Sequence, residues 1–197
     1  MDDLNKYIIK DIIGKSCKRI FILESPHTTE LKTKIPASGQ TGIVISQELY
    51  NISTPVGIAI KNEEIQEAGI LNACQFPLDE KAYTTIPTEF LSYLNIKKLK
   101  YSGNQYKSDI KEKIIEIDSS NTVINFRKRL DILAREKQGI EVIVCGLISQ
   151  AYIELAYPTL TNVRFKTWTK LNISGNNINI RYTHHPSPKR NGSSWEI

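Results

Sequence analysis

Two short stretches concentrate the side chains able to move protons. Glu24-Ser25-Pro26-His27 supplies a carboxylate, a hydroxyl and an imidazole. Thr183-His184-His185-Pro186-Ser187-Pro188 supplies two imidazoles and two further hydroxyls. Carboxylates and imidazoles are the usual general acids and bases. A serine beside a histidine is the usual start of a covalent hydrolase. Proline fixes its own φ and restricts the residue before it, so both stretches hold side chains in place at little entropic cost. No Gly-x-Ser-x-Gly elbow surrounds Ser25 or Ser187 and no third triad member stands out, which disfavours a serine hydrolase.

Each stretch ends an apolar run. Residues 19–24 read as a buried strand, as do 69–74 and 142–146, while 177–183 alternates and reads as a fourth strand. Helical patterns fall between them over 43–50, 123–137 and 149–157, the last stopped by Pro158. Leu4, Ile8 and Ile12 recur at helical spacing, so 2–14 is expected to be an amphipathic helix ended by Gly14. Strands alternating with helices predict an α/β fold with a parallel sheet covered on both faces. In such sheets ligands sit outside the carboxyl ends of the strands, where both chemical stretches fall.

The chain has 197 residues, enough for one domain, 1–197, with a substantial core. Lys and Arg number 26 against 21 Asp and Glu, a net charge of +5. That excess permits a nucleic-acid partner without requiring one. Cys17, Cys74 and Cys145 form no CxxC pair, against a disulfide framework or a zinc or iron–sulfur site. The start of the chain lacks a signal-peptide pattern, and no apolar run approaches the roughly 20 residues that span a bilayer. A cytoplasmic or nucleoid-associated protein, with no membrane partner, is expected. One segment, 95–120, stands apart as a lysine-rich insertion: Lys97, Lys98, Lys100, Lys107, Lys111 and Lys113, with Tyr93, Tyr101 and Tyr106 interleaved. Lysines contact phosphates and tyrosines stack on unpaired bases; a solvated charged face is the alternative.

Four pieces occur in order: Glu24-Ser25-Pro26-His27, Gly39-Gln40-Thr41-Gly42-Ile43, Leu71-Asn72-Ala73 and His185-Pro186-Ser187-Pro188. Together, over roughly 19–193, they resemble the uracil-DNA glycosylase superfamily. The resemblance implies a three-layer α/β/α sandwich around a four-stranded parallel sheet, acting on DNA as a monomer with no metal and no cofactor. It implies a monofunctional glycosylase: a base is flipped from the stack and its N-glycosidic bond is hydrolysed. Glu24 matches the glutamate that orients water in one branch, although the cysteines of that branch's iron–sulfur cluster are missing. Ser25 stands where the best-known branch has its water-activating Asp. By similarity, His185 would donate a hydrogen bond to the departing base anion. Asn72 would read the base edge with its acceptor and two donors. Pro26 and His27 would line the pocket, His27 standing where a tyrosine otherwise excludes thymine. Gly42 would sit beside the base, with Ile45 nearest the place of the usual stacking aromatic. Ser187, Pro188, Lys189 and Arg190 would grip the DNA backbone. His184 reads as structural or solvent-facing, and Trp195 as cover for the core edge. The alternative is a glycosylase-like module that binds DNA or a modified base without catalysis.

Overall fold

A computed structural model describes residues 4–101, 106–118, 121–160, 163–186 and 195. Its centre is a six-stranded sheet: β1 (Ile12–Ile13), β2 (Arg19–Leu23), β3 (Ala68–Asn72), β4 (Glu141–Cys145), β5 (Thr169–Ile173) and β6 (Asn176–Thr183). The spatial order is β1-β3-β2-β4-β6-β5. The inner four strands run parallel, and the outer two are antiparallel to their neighbours. The α/β class holds, but the sheet is six-stranded and mixed rather than four-stranded and parallel.

The apolar runs explain the layers. Successive side chains on a strand face opposite sides. On β2, Ile20 and Ile22 enter one apolar cluster, while Phe21 and Leu23 enter another. Helices α2 (Gln40–Tyr50) and α3 (Val56–Lys61) cover the second. The first is covered by α5 (Leu94–Tyr101), α6 (Lys107–Ile117), α7 (Thr122–Glu136) and α8 (Leu147–Ala156). Two short helices, α1 (Thr28–Thr33) and α4 (Thr88–Leu91), lie in the connections.

Two expectations fail for local reasons. Residues 2–14 do not form one helix: Leu4–Tyr7 is a single 3₁₀ turn, and Ile12–Ile13 pairs with Ile70 and Gly69 as an edge strand. The adjacent β-branched pairs Ile8-Ile9 and Ile12-Ile13 suit extended backbone, and Tyr7 anchors the turn against Tyr83 with ring centroids 4.8 Å apart. Strand β5 was not expected at all. Ser174 and Gly175, both at positive φ (52° and 87°), form the tight turn joining it to β6.

The lysine-rich segment also contributes to the core. Ile96, Ile110 and Ile114 of α5 and α6 are fully buried in the first cluster, and Tyr93 is a core residue whose hydroxyl donates to Asp118 at 3.1 Å. All three cysteines are buried and free. No helix among the described residues is long and apolar enough to cross a membrane.

Candidate functional site

The chain leaves β2 for β3 on one side and later returns to β4 on the other. The gap between the tips of β2 and β4 is therefore the topological switch point, where open α/β sheets bind ligands. Glu24 follows β2 there, Gly146 follows β4, and His185 follows β6 one strand further on.

Glu24 is the hub. Its side chain is only 9% exposed, and Lys100 Nζ from α5 donates to both carboxylate oxygens, at 2.8 and 2.6 Å. The amide of Ile148, in the first turn of α8, donates to Oε1 at 3.4 Å. The positive end of that helix dipole further favours an anion here. Gly146 makes the approach possible. Its φ of +89° suits glycine, and a Cβ there would stand 2.5 Å from Glu24 Oε1 and 3.2 Å from the His185 Cβ. Glu24 and His185 thus close over one bare backbone position.

The two imidazoles are held neutral. Burial pushes His185 down, Glu24 opposes this, and the Lys100 and Lys97 charges reinforce it. His27 is also lowered, first by desolvation, then by Lys97 and His185, with Asp79 and Glu24 opposing. Water at its exposed side tempers that push. Its direction still leaves His27 uncharged at pH 7. The loop carrying His27 is pinned by the buried Glu30, which accepts from the His27 amide at 2.5 Å and the Ala37 amide at 2.7 Å. Burial raises the Glu30 carboxyl above its usual range. Pro26 and Ser25 are buried between Glu24 and His27.

Asn72 ends β3, opposite Leu23 in the register and so one residue from Glu24. The strand tips continue in step, with the Ala73 amide donating to Leu23 and the Cys74 amide to Glu24. Asn72 is 1% exposed, yet neither its Nδ2 nor its Oδ1 has a hydrogen-bond partner. A buried polar group left unpaired costs about 1–3 kcal/mol. Its backbone, in contrast, is held firmly: Arg129 Nη2 donates to the Asn72 carbonyl at 2.8 Å and the Ala73 carbonyl at 3.3 Å. Arg129 is itself fixed by both Asp11 oxygens through Nη1 and by Asn125 through Nε.

The remaining expected site residues have other surroundings. Gly42 is buried on α2, where a Cβ would stand 1.8 Å from the Ala37 carbonyl oxygen, so its bareness lets the 35–38 loop cross the helix. Ile45 is fully buried with Phe21, Leu23 and Ile70 and presents no face on which a base could stack. Trp195 covers the same cluster against Phe21 and donates to the His184 carbonyl at 3.0 Å. His184 is exposed. Ser187, Pro188, Lys189 and Arg190 lie outside the described residues.

Sequence reasoning missed Lys100, Gly146 and Arg129. Gly146 carried a signal, a lone glycine between an apolar run and a helix. Lys100 was visible only as one lysine among several. Its partner lies 76 residues away and is set by how α5 packs. No family model matches the chain, and no curated protein matches it.

Proposed function

We propose that this protein is a monofunctional DNA glycosylase, which flips a uracil or other modified base into the site and hydrolyses its N-glycosidic bond. The observation that carries the reading is Asn72: a buried amide with both polar atoms unpaired, on a backbone clamped by Arg129, at a strand tip beside Glu24. A flipped base with adjacent N–H and C=O groups satisfies both atoms. The order of the four motifs supports the same reading.

In this scheme Glu24 orients a water toward the sugar carbon as the base departs. Neutral His185 donates to the oxygen on which the base's negative charge develops, where a fixed donor in a dry site is effective without carrying charge. The Lys100 and Lys97 ammonium groups add positive potential nearby. His27 shapes the pocket wall and thereby the choice of base. The reading includes action as a monomer in the cytoplasm, with no metal or cofactor.

Base release from oligonucleotides carrying uracil, hypoxanthine, xanthine or hydroxymethylcytosine tests this. Alkali-labile cleavage that disappears in both Asn72→Ala and His185→Ala supports the reading and names the base. Absence of release from every substrate rejects it in favour of a second reading, a base-binding module without catalysis. One observation favours that second reading: Lys100 occupies both Glu24 oxygens, the atoms a water would need.

A further inference from the structure

We propose that the outer face of the β5–β6 hairpin, with the segment leading into it, is a binding platform for single-stranded DNA that delivers the strand to His185. The proposal rests on the glycosylase reading only for the choice of DNA over RNA.

Charge is the first observation. From Leu155 to Trp195 the sequence contains Arg164, Lys166, Lys170, Arg181, Lys189 and Arg190 and no Asp or Glu at all. The other 20 Lys and Arg are matched by all 21 Asp and Glu, so the protein's positive excess belongs to this stretch alone. Positive charge concentrated in one stretch of a chain is the electrostatic footprint expected of a polynucleotide site, and Arg164, Lys166, Lys170 and Arg181 are its described members.

The placement of these groups is the second. On β6, Ile178, Ile180 and Tyr182 enter the core, which turns Asn177, Asn179 and Arg181 to the opposite face. The register sets Lys170 beside Asn179 on that face. The helices over the second cluster cover β2, β3 and β4, and among the described residues none of β5 or β6 joins that cluster, so neither helix extends over the hairpin's outer face.

Exposed rings are the third. Trp168 is 39% exposed and Phe165 42%, although both would gain from burial. The Arg181 guanidinium lies 5.1 Å over the Trp168 ring, and the Phe165 ring sits 4.4 Å from that of His184. Phe165 is fixed by a bridge to Tyr182, and the Lys166 amide donates to the Tyr182 carbonyl at 2.9 Å. The register sets Trp168 with Arg181 on the outer face and Phe165 with Tyr182 and His184 on the other, so the two rings flank the hairpin's edge, and His184 joins Phe165 directly to His185. Positive groups interleaved with exposed rings are how single strands are gripped: phosphates meet the cations, and unpaired bases stack on the rings. A duplex, its bases already stacked, would leave the rings unused.

Binding of a fluorescent short oligothymidylate, which carries no lesion, tests the proposal across a salt series. Phe165→Ala and Trp168→Ala are each expected to weaken binding about 5- to 150-fold, the range for losing one base–aromatic stack, with the salt slope unchanged. Trp168→Phe keeps a ring and restores most of the affinity, which separates stacking from a folding defect. Arg164→Ala with Lys170→Ala should lower the salt slope by about 1.4, two single-strand phosphate contacts. Wild-type affinity in both aromatic variants overturns the platform. So does tighter binding of the matching duplex, and tighter binding of oligouridylate overturns the choice of DNA. Base release is read separately. A protein that releases no base yet shows these losses keeps the platform and loses the glycosylase reading. Variants that bind normally while still releasing base do the reverse.

Discussion

Residues 95–120 and 155–195 each hold six basic side chains. In the first stretch every lysine has a carboxylate: Lys97 meets Asp79, Lys98 Glu80, Lys100 Glu24, Lys107 and Lys111 share Glu154, and Lys113 meets Glu116. The second stretch holds no Asp or Glu of its own, so its six positive charges are uncompensated within it. Composition alone makes the first look like the nucleic-acid site, since it is dense in lysine and tyrosine. Structure reverses the ranking. A lysine already paired must give up its partner before it can neutralise a phosphate, whereas Lys170, exposed on the hairpin, has no carboxylate within its own stretch. The lesson concerns counting: net charge within a folded neighbourhood identifies an anion site, and the number of lysines does not.

The first stretch acts through one residue, Lys100, and removing it is the sharpest way to break the comparison. Lys100→Ala leaves the buried Glu24 without its ammonium. Breaking a buried pair in this way costs about 3–5 kcal/mol, and the lower end applies because Lys100 retains some contact with water. At about 2–4 °C per kcal/mol for a chain of this size, the thermal midpoint should fall by roughly 6–12 °C. DNA affinity in the same variant should keep its salt dependence. A flattened salt slope would show Lys100 on phosphate and erase the distinction between the stretches.

Gly146→Ala attacks the same cradle from its floor. The positive φ with extended ψ costs a non-glycine residue about 1–3 kcal/mol, and the new methyl group must push Glu24 or His185 aside, adding about 1–3 kcal/mol. Urea unfolding should show about 2–6 kcal/mol lost, and base release should fall at least as far as in His185→Ala. Unchanged stability would mean that the approach of the two side chains is loose.

A smaller effect separates the stretches directly. The pair of substitutions Lys97→Ala and Lys98→Ala should leave the salt slope of DNA binding as it is, since both lysines face the Asp79–Glu80 corner. A drop approaching two phosphate contacts, about 1.4 for a single strand, would return the first stretch to the nucleic-acid interface. Lys98 alone, exposed and 3.8 Å from Glu80, should change stability by less than about 0.5 kcal/mol.

What the sequence made legible follows from the same contrast between local and distant causes. Strands β2, β3 and β4 were readable because buried parallel strands are near-continuous apolar runs, and β6 because its apolar and polar residues alternate. Glu24, Asn72 and His185 were readable because they stand where those runs stop. Strand β5 was not: Thr169-Lys170-Leu171-Asn172-Ile173 is an edge strand with one wet face, and its short alternation is weak without the Ser174-Gly175 turn to anchor it. The 2–14 segment was misread because Leu4, Ile8 and Ile12 fit a helical period as well as they fit a turn followed by an edge strand. Ile45 was placed beside the base by its distance from Gly42. Helix α2 instead turns that position into the core. The Lys100–Glu24 pair lay beyond reach, since nothing local to either residue names the other.

The smallest predicted effect concerns pH, and here the two lysines that crowd the imidazoles matter again. His27 titrates ordinarily near 6.5 and lower in the fold. As pH falls through 6.5 the unfolded chain takes up a proton that the folded protein refuses, so stability falls with pH until the folded value is passed. His185 shifts in the same direction and adds to the slope. Asp11 and Glu30 are raised by burial and oppose it, because the folded protein then binds protons more readily than the unfolded chain as pH drops. Their ordinary values of 3.8 and 4.5 place the unfolded end of their contribution below that of the histidines. His27→Gln should therefore make unfolding free energy less pH-dependent just below pH 6.5, with stability at pH 8 nearly unchanged. Lys97→Met should act in the same sense but more weakly. It removes one of the charges that hold His27 neutral, so the imidazole titrates closer to its ordinary value. An unaltered slope in Lys97→Met, with a reduced one in His27→Gln, would assign the low imidazole to burial alone and leave Lys97 as a partner of Asp79 only.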